Sequence, residues 1–560
     1  MPRRIVLIGS TGFFGQRLAR RLVSLDGVAL FLTSRREARA TALADALGGG
    51  GRITPLAFAR NDAASIERLV SLAPWLVIDA SGPFQVASYD LARAVIGAGA
   101  HWIDLADARD YLLGFGPALD AIAREKDVVA RAGASSTPAL SMAVAEDLTR
   151  GWRRIDSVDI AILPGGKGDV GEAVVRAILS YSGAPIATFV EGRQQKTTGW
   201  GSARRLHVDG LGVRYASPVE TADAMVMPKR FSVTSRVSFG AGLESRVEQF
   251  GLLLLAHLRR RGFISDLEAW APYLVRARSL TRPFACDHGG MIVDCTGLDG
   301  DGRLTSARWT LHALPGHGPD VPVLPAVALT RALLGGGKKT GAEIGALLLK
   351  DIEAEMEPPS HVTSRAVTVA SDASLIEAAC GGSYASLPRT LKAFHDQDAP
   401  PVWVGKADID ASDSFAGRIV RRVFGFPPSG RDVDVIVTVD RREGGETWTR
   451  NFGGRRFVSR LSHEGGAIIS ERFGAVSVRL AIKAQRGEIE MPVVGWRFGA
   501  MPLPLFLAPK SETREFVGGD GRFHFDVAIR LPIVGLLAHY RGWLVPQAVA
   551  ARETAASGNA

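Results

Sequence analysis

The sequence predicts an α/β chain with three folded parts: a doubly wound parallel sheet, an α+β domain and a C-terminal β-rich domain. Strand and helix patterns alternate from the first residues, which is typical of a parallel sheet. The last third instead shows alternating strands between Gly and Asp turns, as in an antiparallel sheet or barrel. A length of 560 residues also exceeds one ordinary domain. We place the domains at 1–150, 151–356 and 385–546, with 357–384 as a linker and 547–560 as a tail.

The first strand and helix enclose a glycine-rich turn. Residues 5–8 form a short apolar run typical of a buried strand, and residues 16–23 have helical spacing. Gly9, Gly12 and Gly15 lie between them. In this context the glycines predict a Rossmann-like nucleotide-binding turn, with a tight bend, close approach to a phosphate and close packing of helix on strand. The alternative is a loop that binds nothing.

Other loops are expected at the same edge of the sheet, because ligands bind at the carboxyl ends of parallel strands. The predicted cofactor-binding residues are Gly9, Ser10, Thr11, Gly12, Phe13, Phe14, Gly15, Ser34, Arg35, Arg36, Asp62, Ser81, Gly82 and Pro83. No metal site is predicted.

The end of the second strand indicates the cofactor. Sites that prefer NAD normally carry an acidic residue here, which binds the ribose hydroxyls. This chain has Ser34, Arg35 and Arg36 instead. Because a guanidinium pairs well with a phosphate dianion, we expect NADP(H) to be favoured over NAD(H). The alternative is a solvated basic helix start, with Arg36 and Arg39 facing water.

Three stretches together resemble the saccharopine dehydrogenase-like oxidoreductases: "GSTGFFGQRLAR", "DASGPFQ" and "GASSTPALSMAVA". The resemblance is good over 1–150 and loose over 151–356. The block from "LPRTLKAFHD" to "YRGWL" is similar to the uncharacterised DUF4166 type of domain. The resemblance implies an NADP-dependent oxidoreductase that transfers a hydride to or from a small organic or lipid-like substrate. It also assigns Ser34 and Arg35 to the ribose phosphate, and Ser81, Gly82 and Pro83 to the nicotinamide.

No catalytic residue can be assigned from the sequence. Asp104 and Asp107 follow the fifth strand, with Tyr111 a turn later, so they are expected on the ligand-binding edge. The favoured interpretation is that the aspartates cap the next helix. For Asp287 and His288, a loop role is favoured over catalysis.

Composition excludes several classes of protein. The net charge is +9, but the basic residues are dispersed, so no nucleic-acid partner is expected. Cys286, Cys295 and Cys380 form no CxxC pair, which excludes a disulfide framework and a zinc knuckle and indicates the reducing cytoplasm. The second domain is of a type that binds substrate or mediates dimerisation, so the sequence is compatible with a homodimer.

The most apolar helix candidate is residues 250–258, "FGLLLLAHL", followed by three arginines. We expect this helix to be buried between domains. The alternative is peripheral contact with the cytoplasmic face of a membrane.

A second function is kept open: a non-catalytic NADP(H)-binding sensor whose C-terminal domain binds a hydrophobic ligand. Aromatic residues of that domain then line a cavity, although a role in the barrel core is favoured. They are Trp448, Phe452, Phe457, Trp496, Phe498, Tyr540 and Trp543.

Overall fold

The computed structural model describes most of the chain. The described residues are 2–48, 51–168, 172–337, 339–370, 373–412, 414–442, 444–532 and 535–550. The predicted tail lies outside them from residue 551 onward.

The N-terminal domain alternates strands and helices. They are β1 (Arg3–Ile8), α1 (Phe13–Leu22), β2 (Val28–Ser34), α2 (Glu37–Leu47), β3 (Ile53–Ala57), α3 (Ala63–Ser71), β4 (Leu76–Asp79), α4 (Asp90–Gly97), β5 (His101–Asp104), α5 (Arg109–Glu125), β6 (Val129–Ala132) and α6 (Ser141–Leu148).

The middle of the chain mixes the two types of element. They are β7 (Arg154–Leu163), α7 (Glu172–Tyr181), β8 (Pro185–Val190), β9 (Arg193–Thr198), β10 (Arg204–Val208), β11 (Gly212–Pro218), α8 (Asp223–Arg230), β12 (Arg236–Ala241), α9 (Arg246–Arg260), α10 (Ala271–Thr281), β13 (Gly289–Leu298), β14 (Leu304–Ala313), α11 (Leu324–Leu334), β15 (Gly341–Ile344), α12 (Leu349–Glu353) and β16 (His361–Val369).

The last part of the chain is rich in strands. The elements are α13 (Leu375–Cys380), α14 (Arg389–His395), β17 (Val402–Ala411), α15 (Phe415–Phe424), β18 (Gly430–Arg442), β19 (Gly445–Phe452), β20 (Arg455–Gly465), β21 (Ile468–Phe473), β22 (Val476–Ala481), β23 (Lys483–Gln485), β24 (Glu488–Glu490), β25 (Val493–Phe498), β26 (Met501–Pro502), β27 (Lys510–Val517), β28 (Phe523–Leu531) and β29 (Gly535–Pro546).

The first sheet is parallel and doubly wound, as predicted. Its strand order is β15-β6-β5-β4-β1-β2-β3, and neighbouring strands in this order pair in parallel. The order reverses between β1 and β4, and the crevice at such a reversal is where ligands bind in open α/β sheets. The edge strand β15 begins 210 residues after Arg131 of its neighbour β6. The buried Arg131 holds β15 by donating a hydrogen bond to the carbonyl of Gly341 at 2.7 Å.

The second sheet is mixed and adjoins the first domain. Its path is β10-β11-β12-β7-β13-β14-β16, with β8 and β9 paired beside β12. One hydrophobic core runs through both domains, from Leu7 and Leu140 to Trp309. The segment 357–384, which we interpreted as a linker, carries β16, paired with β14 along its whole length, and α13 of the next domain. The domain boundaries themselves stay a prediction.

The C-terminal domain is a thirteen-stranded antiparallel sheet with its own core. β22 and β23 lie near opposite ends of the sheet order, yet only Ile482 separates them in the chain, so the sheet curls on itself. Trp448, Phe452, Phe457 and Tyr540 are buried in this core, as favoured, and three of them, Trp448, Phe452 and Tyr540, also line a cavity of about 150 Å³. Phe498 is exposed and does not belong to the core.

An ion-pair network centred on buried Asp159 joins the C-terminal domain to the second sheet. Arg236 Nη2 lies 2.6 Å from Asp159 and 3.0 Å from Asp440, and Arg442 lies 3.4 Å from Asp159. Burial alone raises the pKa of Asp159, but Arg236, Arg204 and Arg442 together hold that pKa well below its ordinary value. Arg236 and Asp159 pair within the second sheet and Arg442 and Asp440 within the C-terminal domain, and the two pairs between the domains join them into one network.

Candidate functional site

The turn between β1 and α1 has the geometry of a phosphate site. Gly9 has φ +72°, and a Cβ there would lie 2.8 Å from the Cα of Ser81. A Cβ on Gly15 would overlap the carbonyl oxygen of Gly9, so helix and strand pack at backbone distance. Gly12 is the N-cap of α1, and no side chain caps that helix. Its free N–H groups and positive end suit a phosphate.

The end of β2 presents a group of cations beside this turn. The hydroxyl of Ser34 accepts a hydrogen bond from Thr11 Oγ1 at 3.3 Å. Arg35, Arg36 and Arg39 are exposed and line the same cavity. Within the part of the chain that the structure describes, none of the three has an ion pair, so their charge is available to a ligand.

The loop after β4 is fixed by a buried carboxylate that sequence reasoning missed. Asp79 Oδ1 accepts hydrogen bonds from the backbone N–H of Ser81 at 2.9 Å and from its hydroxyl. Arg60 lies 3.0 Å from the other oxygen and stacks over Phe84, 5.0 Å from the ring centre. Burial raises the pKa of Asp79 in spite of Arg60. The pair holds the loop against the glycine turn.

Most of the predicted cofactor residues lie on one cavity wall. They are Gly9, Thr11, Gly12, Phe13, Phe14, Ser34, Arg35, Arg36, Ser81, Gly82 and Pro83. Ser10 is fully buried, with its hydroxyl bonded to the carbonyl of Thr33, and Gly15 lies beneath the turn. Asp62 is the N-cap of α3 and accepts from Ser65 N at 2.9 Å. These three residues support the wall and do not form part of it.

The contacts of Asp104 indicate a structural role for this carboxylate. Its carboxylate accepts hydrogen bonds from the backbone of Gly133, the Trp102 indole at 2.9 Å and the Tyr111 hydroxyl at 3.1 Å, and burial raises its pKa to about 6. It ties the end of β5 to the loop after β6. It does not cap α5 as favoured, because the N-cap of that helix is Ala108.

A second part of the same cavity is apolar. The cavity has a volume of about 2130 Å³ and extends from the glycine turn to side chains of α7, α9 and α10 and of the second sheet. Its apolar wall includes Ile178, Leu252, Leu255, Leu274 and Met291. We call this part the apolar chamber. The glycine turn and the apolar chamber therefore border one continuous cavity.

Polar side chains also lie in the chamber wall: Glu244, Glu248, Arg278, Thr281 and Asp287. Glu244 accepts from the backbone N–H groups of Gly166 and Cys286, each at 2.7 Å, and so joins two loops. Burial opposes its ionisation, but these hydrogen bonds keep its pKa lowered. Asp287 also lines the cavity, and its carboxylate has no hydrogen-bond partner among the described residues. Its favoured loop role stays a prediction.

Ser136 is a lining residue that the sequence analysis did not single out. It begins a turn that is held from the second domain, because the hydroxyls of Thr137 and Ser141 both donate to buried Asp223. Burial raises the pKa of Asp223 despite these bonds. In the sequence, the stretch "GASSTPALS" that contains Ser136 pointed to the site only through its resemblance to the saccharopine dehydrogenase-like oxidoreductases.

This site can be compared with known domain families. Residues 5–144 match the saccharopine dehydrogenase NADP binding domain. Residues 387–544 match a domain of unknown function, DUF4166. Both resemblances expected from the sequence are confirmed. The first family is named for the NADP-binding domain of saccharopine dehydrogenase, and its match covers the N-terminal domain of this chain. No curated protein matches.

Three solved structures illustrate the similarity. A mutant meso-DAPDH of Clostridium tetani with DAP has a TM-score of 0.35 at 10% identity, covering 62% of this chain and 95% of its own. GenD2 of gentamicin A biosynthesis in complex with NAD has a TM-score of 0.32 at 15% sequence identity, and the match covers 63% of this chain and 91% of GenD2. KijD10, a 3-ketoreductase from Actinomadura kijaniata in complex with NADP, has a TM-score of 0.28 at 14% sequence identity, and the match covers 63% of this chain and 95% of KijD10. Similarities this low carry no information on activity or substrate.

Proposed function

We propose that this chain is an NADP(H)-dependent oxidoreductase that transfers a hydride to or from an apolar, lipid-like substrate. One observation carries the proposal: the glycine turn and the apolar chamber belong to a single cavity. Hydride transfer requires the reacting carbon of the substrate to lie next to the nicotinamide, away from water. A continuous space that is polar at one end and apolar at the other meets this requirement.

The residues at the polar end fit NADP(H). The uncapped N-terminus of α1 suits the pyrophosphate, since its N–H groups are free. Arg35, Arg36 and Arg39 suit the 2′-phosphate, because guanidinium groups form charge-assisted hydrogen bonds with phosphate oxygens. When bound, the nicotinamide supplies the hydride and its two electrons. The chain's own residues hold the dinucleotide and position it.

The loop after β4 is the part that this chain offers to the nicotinamide end. Asp79 fixes the backbone and hydroxyl of Ser81, and Arg60 fixes Asp79. The chamber residues then do the remaining work: they bind the apolar part of the substrate and exclude water from the reacting bond.

Two binding titrations and one turnover assay test the proposal. NADPH and NADH are titrated by the quenching of protein fluorescence, and NADPH consumption is then followed with long-chain carbonyl and enoyl compounds. We expect NADPH to bind more tightly and to be consumed with at least one apolar compound. NADPH binding without turnover would favour the sensor, and no NADPH binding would overturn the proposal.

A further inference from the structure

We infer that the outer face of α9 and α10 docks on an anionic lipid bilayer beside the mouth of the apolar chamber. This inference deepens the proposed function, on which it relies for the identity of the substrate, by making membrane lipid the source. We define the α9–α10 face by Val247, Phe250, Leu254, Phe263, Leu280 and Phe284.

The α9–α10 face is unusually apolar for an exposed surface. Phe284 is 90% exposed and Phe263 is 74% exposed. Only one side of α9 is buried, through residues such as Leu252 and Ala256, so the expected burial of this helix holds for that side alone. Large exposed apolar patches mark sites of protein or membrane interaction. Exposed Trp270 adds an aromatic ring that is favourable at a bilayer interface.

The chamber opens on this face. Val247, Leu254 and Leu280 line the cavity and are also 74%, 58% and 75% exposed. Val86, in the loop after β4, also lines the cavity and is 85% exposed. A lipid that leaves a bilayer in contact with this face can enter the chamber without crossing water.

The charge around the face selects an anionic surface. Arg246, Arg260, Arg261 and Arg276 are exposed on or beside α9 and α10. The exposed acids of the same stretch are Asp266 and Glu268, so cations outnumber them. Arg259 is not counted, because it is bonded to the carbonyls of residues 179, 180 and 182.

The same charges argue against a second copy of this chain as the occupant. Two such faces brought together around a twofold axis would bring two sets of arginines into one interface, with fewer acidic side chains than arginines to pair with them. A bilayer that contains acidic lipid offers both an apolar interior and negative headgroups, and the inferred contact is with the surface of such a bilayer. Among the helices that the structure describes, none has the length and hydrophobicity needed to cross a bilayer.

Vesicle binding by the full chain tests this inference without substrate. The protein is sedimented with vesicles of phosphatidylcholine, alone or mixed with phosphatidylglycerol. We expect binding to the mixed vesicles that weakens with added salt. The double substitution Phe263→Ser/Phe284→Ser should reduce this affinity at least about tenfold. Phe415→Ser/Phe506→Ser is the matched control, since these side chains are 73% and 76% exposed on the C-terminal domain. It should bind as the wild type does.

A second pair of variants tests the charge. Arg260→Glu/Arg261→Glu should lower binding to the anionic vesicles by roughly tenfold or more. Arg455→Glu/Arg460→Glu makes the same change in net charge on exposed residues of β20 and should have a small effect. Equal losses in test and control variants, or no wild-type binding to anionic vesicles, would overturn the inference.

Two further readouts distinguish bilayer docking from dimerisation and from a failure of the cofactor site. If the wild type sediments as a dimer and Phe263→Ser/Phe284→Ser as a monomer, a second copy covers the face and the inference is wrong. NADPH titration of every variant should match the wild type, because these residues lie outside the cofactor wall. Vesicle binding by a wild type that binds no NADPH would support the docking surface and overturn the proposed function alone.

Discussion

The Cα of Ser81 lies 2.8 Å from the point that a Cβ on Gly9 would occupy. The turn after β1 and the loop after β4 therefore touch at backbone distance, at the place where the strand order of the first sheet reverses. A dinucleotide whose phosphates lie at the turn thus has the Ser81 loop within its reach. This contact is the reason that glycine is required at position 9, together with its φ of +72°.

Gly12→Val should abolish NADPH binding and leave the fold intact. Gly12 has an ordinary extended backbone, and a Cβ there would lie 3.2 Å from the carbonyl oxygen of Gly9, so a small shift of that backbone accommodates the change, but the valine occupies the approach to the helix N-terminus. The measurement is NADPH titration beside circular dichroism. Gly382→Val is the control, because that site has open space. Wild-type affinity in Gly12→Val would remove the turn from the cofactor site.

Arg35→Asp should reverse the cofactor preference. Charge-assisted hydrogen bonds to the 2′-phosphate are worth roughly 1.5–3 kcal/mol each before solvent screening of the exposed Arg35 side chain, and we expect a net preference for NADPH of about ten- to a thousandfold. The aspartate would repel the phosphate and accept from the ribose hydroxyls of NADH. Both cofactors are titrated against both proteins. Arg52→Asp makes the same charge change on an exposed residue before β3, at the opposite edge of the sheet. Equal affinities of the wild type for NADPH and NADH would show that these arginines do not bind the 2′-phosphate.

Gly251→Trp should close the apolar chamber while leaving the cofactor wall unchanged. Gly251 lines the cavity from α9 and has nothing within 4 Å of its would-be Cβ, so an indole there extends into open space. We expect loss of binding of a fluorescent long-chain fatty acid and unchanged NADPH affinity. Gly382→Trp controls for the added surface indole. Unchanged fatty acid binding in Gly251→Trp would place the apolar ligand elsewhere.

Asp159→Asn should destabilise the contact between the second and third domains. It leaves the half-buried Arg236 and Arg442 with less counter-charge; breaking a fully buried ion pair typically costs about 3–5 kcal/mol, and the partial exposure of the two arginines makes the expected cost smaller. We expect a lower thermal unfolding midpoint. Asp301→Asn, at an exposed pair with Arg303, should have little effect.

The same carboxylate predicts an acid limit. Its native pKa is depressed from an ordinary value of 3.8, so its stabilising contribution is complete well above pH 3.8 and is lost as the pH falls below that value. The midpoint of the wild type should therefore approach that of Asp159→Asn in acid. A constant difference between the two proteins down to low pH would contradict this assignment.

The sequence predicted the local part of the fold well. The apolar run of β1, the glycines and the helical spacing after them all depend on neighbours in the chain, and the turn forms where expected. Pairing between distant segments could not be predicted this way. β15 joins the first sheet through Arg131, and β16 completes the second sheet within the stretch interpreted as a linker. Neither strand has a residue pattern that identifies its partner strand.

The candidate site was predictable to the same extent. Residues on the first two loops were found because each follows its own strand. Asp79 was missed because it is the last residue of a buried strand, and only the fold shows that Arg60 lies beside it. The apolar chamber was missed because α7, α9 and α10 come from different stretches. Asp62 was included because loop position alone does not distinguish a helix cap from a ligand contact.

The fate of the hydride tests the proposed oxidoreductase most directly. The protein is incubated with NADPH deuterated at the reactive carbon of the nicotinamide and with vesicles of a total lipid extract. The lipid fraction is then analysed by mass spectrometry, with Gly12→Val as the control. We predict deuterium on a carbon of an apolar molecule in the wild-type sample and none in the control. Bound NADPH with no deuterium in any product would contradict the oxidoreductase and favour the sensor.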